Sequence, residues 1–332
     1  MKLRVLALIV SGIASFSACQ RGQAAADRTP TTTTLPAPPA RPDAAPMPTP
    51  SGDIEFRSAF DLEQVPHPDE PELRGSREAV STEWPASLYT TFAAGGSTAS
   101  CTAALIGPSV MLTAAHCIPP VGSVTFAYEG HAAPYVAACT RHPDYDDPER
   151  DASADFALCA VTPAFAAPSG FQYETVSASS MASLLDRTVV LTGFGCVSNV
   201  ATSAPFDGKY RIGFGTIDDS SASPSHAHGD AFYAPRERNN LFTAADPAKA
   251  NLCPGDTGGP VFAATGDPRD LTARTIVGLN SRVFRDADRK GFGASIISAT
   301  GGPAFHAWAV QWARQSGAAA CGIAGLVPNC RG

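Results

Sequence analysis

The sequence predicts an all-β domain closed by one C-terminal helix, and three observations carry that prediction. Short apolar runs at residues 103–106, 110–113, 124–128 and 188–193 are separated at close intervals by Gly, Pro, Asn and Asp, the rhythm of many short strands. One convincing helical pattern stands out, with Phe305, Trp308, Ala309 and Trp312 at helical spacing behind the break Gly301-Gly302-Pro303. No internal repeat is visible. At 332 residues the chain has room for two average domains, or for one two-lobed enzyme with extra segments.

Taken in order, the chain opens like a targeting segment. Lys2 and Arg4 are followed by an apolar run at residues 5–10 and then by small residues up to Cys19. Phe16-Ser17-Ala18-Cys19 resembles a bacterial lipoprotein cleavage site, in which the cysteine is lipidated, although Phe16 stands where leucine is usual. The alternative is an ordinary secretory signal cut nearby. Cysteine arithmetic favours the lipid: nine is an odd number for an exported protein, and giving Cys19 to an anchor leaves eight for four bridges. Residues 1–19 are therefore read as a lipoprotein-type signal, and the mature protein is expected in the periplasm or on the cell surface.

Residues 20–75 read as an unfolded tether. The stretch 29–50 is built of Pro, Ala and Thr, too poor in apolar surface to offset its ordering entropy. A pro-segment over 51–75 fits equally well. The folded domain is expected over 76–315, followed by a tail at 316–332. Beyond the N-terminus no apolar stretch is long enough to span a membrane, so membrane contact is expected through the lipid alone. The formal charge of −7, without any basic run, speaks against nucleic acid as a partner.

Three motifs point to chemistry. They are Leu112-Thr-Ala-Ala-His116-Cys117, then Asp155-Phe-Ala-Leu158, then Cys253-Pro-Gly-Asp-Thr-Gly-Gly-Pro260. Together they resemble the trypsin-like (chymotrypsin-family) serine proteases, whose motifs read Thr-Ala-Ala-His-Cys, Asp-Ile-Ala-Leu and Gly-Asp-Ser-Gly-Gly-Pro, in the triad order His, Asp, nucleophile. The resemblance implies two packed antiparallel β-barrels with a C-terminal helix, a peptide or protein substrate, no cofactor and a monomer. It implies His116 as general base, Asp155 as the carboxylate that orients it, and the backbone N–H groups of Gly255 and Thr257 as an oxyanion hole. Thr257 stands where the family has its nucleophilic serine. Threonine keeps the hydroxyl and adds a methyl that stiffens χ1 and crowds the attacking oxygen. Known threonine nucleophiles use their own terminal amine, which an internal residue lacks.

Two further departures bear on the site. The family's activation motif is absent around Arg74-Gly75-Ser76-Arg77, which leaves Asp256 without its usual amino-terminal partner. Six residues before Thr257, where the family places the floor of its specificity pocket, stands Asn251; an uncharged amide does not favour Lys or Arg. Val277-Gly-Leu-Asn-Ser-Arg-Val283 resembles the strand that pairs with substrate backbone, making Ser281 and Val283 substrate-binding candidates. Val283 replaces a glycine, which implies a narrower pocket for a small or medium apolar side chain.

The same family frame pairs Cys101 with Cys117. It leaves Cys253 without its usual partner, for which Cys196 is the replacement, and it implies bridges Cys139–Cys159 and Cys321–Cys330. Two groups offer metal readings with stronger alternatives: the acidic run 144–151 reads as a solvated turn rather than a calcium loop, and His226, His228 and Asp230 read as a loop rather than a metal site. The expectation is an endopeptidase, slowed by Thr257. The alternative is an inactive pseudo-protease that binds peptides or proteins.

Overall fold

The computed structural model describes residues 49–58, 76–79, 83–94, 97–147, 150–195, 209–226, 233, 236–246, 249–253, 255–264, 271–283 and 294–331. Eight strands precede the midpoint: β1 (Ile54–Ser58), β2 (Ser76–Glu78), β3 (Ser87–Ala94), β4 (Ser97–Gly107), β5 (Val110–Thr113), β6 (Val124–Ala127), β7 (Tyr135–Arg141) and β8 (Ala157–Thr162). Six follow: β9 (Thr188–Gly193), β10 (Arg211–Ser220), β11 (Asn240–Thr243), β12 (Pro260–Ala264), β13 (Arg274–Val283) and β14 (Ser295–Ala299), before the helix α1 (Phe305–Ser316).

The first sheet closes into a seven-stranded barrel in the order β1-β3-β4-β5-β8-β7-β6. In the second, β10 pairs with β9 over its first half and with β11 over its second. That pairing closes β11-β14-β13-β12-β9-β10 into a ring, with β2 on the outer edge of β10. The two-barrel, strand-dominated architecture expected from the sequence is the one observed. Each barrel has its own core, Phe56, Leu105 and Phe126 in the first and Leu191, Leu241 and Val261 in the second. A third core joins them, where Leu112, Phe156, Phe194 and Phe262 meet Phe305 and Trp312 of α1. The helix buries Phe305, Ala309, Trp312 and Ala313, one face at 3.6-residue spacing, and stops at Gly317, whose left-handed backbone (φ 66°) lets its N–H reach the Ala313 carbonyl.

Two boundaries differ from expectation. Residues 54–58 are not tether but barrel: β1 lies between β3 and β6, antiparallel to one and parallel to the other. The cause is local. Ile54, Phe56 and Ser58 alternate inward while Arg57 faces solvent, a period-2 pattern too short to stand out beside a Pro- and Thr-rich stretch. The C-terminal tail also belongs to the domain. Cys321 donates its N–H to the Ile106 carbonyl at 2.8 Å, Tyr173 donates its N–H to the Asn329 carbonyl at 2.9 Å, and the Tyr173 carbonyl accepts the Arg331 N–H at 2.8 Å. The Arg331 side chain approaches buried Glu174 at 3.4 Å, beside the Arg274–Glu174 ion pair.

Candidate active site

His116 sits in a single 3₁₀ turn, Ala115–Cys117, that leaves the end of β5. The Cys101–Cys117 disulfide fastens that turn to β4. Asp155 lies two residues before β8, and fully buried Phe156 between them anchors the strand start, a burial worth about 1.5–3 kcal/mol. Strands β5 and β8 are neighbours in register, which brings the two motifs together.

Their geometry is that of an oriented imidazole. Asp155 Oδ2 lies 2.8 Å from His116 Nδ1, and Oδ1 accepts the His116 backbone N–H at 3.1 Å. Ser281 adds a third bond, its hydroxyl donating to Oδ2 at 2.7 Å. An ionised carboxylate only accepts, so the proton belongs on Nδ1 and leaves Nε2 with a free lone pair. Both residues are 1% exposed. Burial works to raise the Asp155 carboxyl, but His116 and the Ser281 bond outweigh it and leave it below its ordinary value.

Other acids near Asp155 have structural partners. Arg150 holds Asp144 and Asp147, and Arg141 holds Asp146. Asp151 is buried and accepts from Ser153 and Asn239, whose Oδ1 in turn accepts the N–H of Ala304 just before α1.

Thr257 lies in a loop from the second barrel that is bonded almost throughout. Asp256 N–H reaches the Cys253 carbonyl at 3.0 Å, Gly258 N–H the Asn280 carbonyl at 2.7 Å, and Gly259 N–H the Asp256 carbonyl at 3.0 Å. Gly255 has φ 105° and lies against Gly195 Cα and Ser100, so any side chain there would collide. Within this closed loop the backbone N–H groups of Gly255 and Thr257 have no acceptor among the described residues. The Thr257 carbonyl docks on the first barrel, accepting from Thr102 N–H at 2.8 Å. Its hydroxyl faces the disulfide, 3.7 Å from Cys101 Sγ, and no hydrogen bond joins it to His116.

Asp256 is wholly buried. Its two oxygens accept backbone N–H groups, Oδ1 from Gly195 and Oδ2 from Cys253, both at 2.8 Å. Burial pushes its carboxyl up to about 6, against those two bonds and the nearby Arg211 charge.

Of the substrate-binding candidates, Ser281 is engaged with Asp155. Val283 pairs with Ser295 across β13 and β14. Asn251 donates its amide to the carbonyls of Asp246 and Lys249, each at 3.4 Å. Sequence reasoning passed over Tyr145 and the Arg282–Glu237 pair. The Tyr145 phenol is raised by burial, with Asp155 adding to the effect. Arg282, next to Ser281, holds Glu237 through both guanidinium nitrogens at 3.0 and 3.2 Å. Neither had a signal, because nothing local in sequence reports a contact between residues far apart in the chain.

Cys139 is bridged to Cys159 and Cys321 to Cys330. Cys253 is also disulfide-bonded, while Cys196 and Cys19 lie outside the described residues. His228 and Asp230 lie outside them too; His226 packs against the Tyr233 ring at 4.7 Å. Among the described residues the cluster with metal-ligand spacing is Cys101, His116 and Cys117, and its sulfurs are already joined to each other.

An imidazole oriented by a buried acid, in a two-barrel fold whose Thr257 loop keeps two backbone amides without an acceptor among the described residues, defines a serine-type peptidase scaffold. Residues 73–300 match the family described as Trypsin, and the chain belongs to that family. The match begins after β1. The fold is similar to that of neuropsin, a serine protease expressed in the limbic system of mouse brain, at TM-score 0.51 and 18% identity, over 73% of this chain and 98% of that one. Comparison with curated proteins finds no match.

Proposed function

We propose that this chain is an endopeptidase that works by an acyl-enzyme route with Thr257 as nucleophile. His116 Nε2 takes the Thr257 proton as the hydroxyl attacks the peptide carbonyl, and the Thr257–acyl ester forms. The same proton then passes to the departing amine. Asp155, steadied by Ser281, stabilises the imidazolium between these steps. Water, activated by His116, hydrolyses the ester and frees Thr257.

The observation that supports this reading is the pair of N–H groups at Gly255 and Thr257 that have no acceptor among the described residues. A buried donor without an acceptor costs about 1–3 kcal/mol. A loop bonded almost everywhere else among the described residues retains two of them, and a developing oxyanion would accept both. One observation favours a second reading, a binding module on an inactive scaffold: the Thr257 hydroxyl rests against Cys101 Sγ rather than His116. Productive attack requires rotation about χ1, which the added methyl resists.

Burst kinetics of an ester substrate on the wild type, Thr257→Ser and His116→Ala separate the two. Thr257→Ser is expected to acylate at least about tenfold faster, equivalent to about 1.4 kcal/mol of barrier, with His116→Ala as the blank. Equal rates in all three would leave the binding module.

The reading extends to location. The protein is exported to an oxidising compartment, where its disulfides form, and is held to a membrane by lipid on Cys19.

A further inference from the structure

We propose that Arg211 is a positioning residue for the Thr257 loop: its buried guanidinium is the internal counter-charge of Asp256, so the loop holds its working form in the uncut chain. The consequence for catalysis rests on the peptidase reading of the same site; the pairing itself does not.

Strand register brings the two groups together. β10 pairs with β9 so that Arg211 stands opposite Gly193. Directly opposed residues send their side chains to the same face of the sheet, with Cβ atoms about 5 Å apart. On that face Gly193 is covered by Asp256, since a Cβ at Gly193 would lie 2.4 Å from Asp256 Oδ1 and 2.6 Å from its Cα. The Arg211 side chain therefore leaves the sheet beside the carboxylate. It has no exposure, and its charge acts on Asp256.

Among the described residues the other groups around Asp256 are neutral. Gly195 and Cys253 offer backbone N–H groups, and Asn280 of β13 donates its amide to the Asp256 carbonyl at 3.2 Å. On the far side of Arg211, Glu78 of β2 stands opposite it in register, and Lys209 holds that carboxylate in an ion pair. An ionised carboxylate has about four acceptor sites, and two backbone donors leave it half satisfied. A guanidinium keeps its charge at any pH where the protein folds, so Arg211 supplies the balancing charge as Asp256 ionises.

No new chain end is needed for this. Ser76–Glu78, where the sequence lacks the activation motif, is strand β2 on the outer edge of β10. Ala79 N–H reaches the Tyr210 carbonyl at 2.9 Å and continues the pairing. The segment is built into the sheet as continuous chain, while the cation lies inside on β10.

The test is a double-mutant cycle on the full chain with Arg211→Met, Asp256→Asn and both together, followed by urea unfolding at pH 8 and pH 4.5. At pH 8, Arg211→Met should lower the folding equilibrium constant at least about tenfold more in the wild type than in Asp256→Asn, a ratio worth about 1.4 kcal/mol. At pH 4.5, below the value of about 6 to which burial raises Asp256, the carboxyl is protonated and the two losses should agree within about twofold. Packing lost with the arginine, and its relation to Glu78, are common to both backgrounds and cancel. Coupling absent at pH 8, or equal at both pH values, would overturn the proposal. If Arg211→Met does not fold at pH 8, folding restored by adding Asp256→Asn is the expected result, and a double variant that stays unfolded overturns it. An ester burst on the wild type, read with intact mass, tests the consequence. A burst from chain uncut between residues 74 and 79 is expected, and one that appears only after cleavage there overturns the inference. No burst in any sample sinks the peptidase reading alone, and the coupling still decides for or against Arg211.

Discussion

Replacing Asp256 by Asn should produce a stability change that depends on pH, and the structure sets its size and sign. The carboxylate has no exposure, and its two oxygens are each matched to one backbone N–H. Gly193 and Gly195 wrap it so closely that a Cβ on either would overlap it. Burial raises its pKa from 3.8 to about 6, a shift of roughly two units, or about 3 kcal/mol. Because the folded value lies above the unfolded one, the folded state binds the proton more tightly between them. The associated stability is fully present below pH 3.8 and is lost as pH rises through about 6. Asn is neutral throughout but turns an NH₂ towards one of the two backbone donors, which costs about 1–3 kcal/mol. Asp256→Asn should therefore be destabilising by about 1–3 kcal/mol at pH 3.5 and between neutral and about 2 kcal/mol stabilising at pH 7.5. The difference between wild type and variant should shift by about 3 kcal/mol across that range. Urea unfolding of both proteins at half-unit pH steps measures it, and groups common to both cancel in the difference. A gap that stays constant with pH would refute the reasoning.

Two further predictions concern the N-terminal region. Deleting residues 49–58 removes the buried Ile54 and Phe56 and leaves β3 and β6 with open edges, a loss of about 3–6 kcal/mol; the melting temperature followed by circular dichroism should fall by roughly 10 °C or more, and an unchanged value would mean that β1 is dispensable. Cys19→Ser should move the protein from the membrane to the soluble fraction on cell fractionation, and retention in the membrane would rule out the lipid anchor.

What could be read from the sequence was whatever a short motif or a period carries. The runs at 103–106 and 110–113 became β4 and β5, and the spacing of Phe305, Ala309 and Trp312 became the buried face of α1. His116 and Asp155 were visible because each stands in its own local signature. Ser281 was assigned to substrate, yet its hydroxyl is spent on Asp155 from 126 residues away, a bond across barrels that no local pattern encodes. The partners of Asp256 were illegible for the same reason. They are main-chain amides, which every residue owns, and only the fold decides that those of Gly195 and Cys253 point at the acid. Strand β1 was missed because five residues of alternation were read with the composition around them.

The Thr257 loop divides its duties in a way that makes the Thr257 side chain, the proposed nucleophile, the one variable. Its path is set by Gly255, by Gly258 at φ 80°, by the buried Asp256 carboxylate and by the Thr257 carbonyl on Thr102. None of these involves the Thr257 side chain, so the two free amides keep their place whether that residue is threonine or serine. His116 is likewise fixed from behind, by Asp155, Ser281 and the Cys101–Cys117 bridge. The distance that matters, from hydroxyl to Nε2, is then governed by one torsion. In the present rotamer the oxygen lies on Cys101 Sγ. Rotation towards His116 moves the oxygen off the sulfur and swings the methyl to another side of Cβ, where it needs room. Serine has no methyl to place, so the rotation is unhindered. The extent to which Thr257→Ser accelerates acylation therefore measures the hindrance of that single torsion, with the amides and the imidazole held constant.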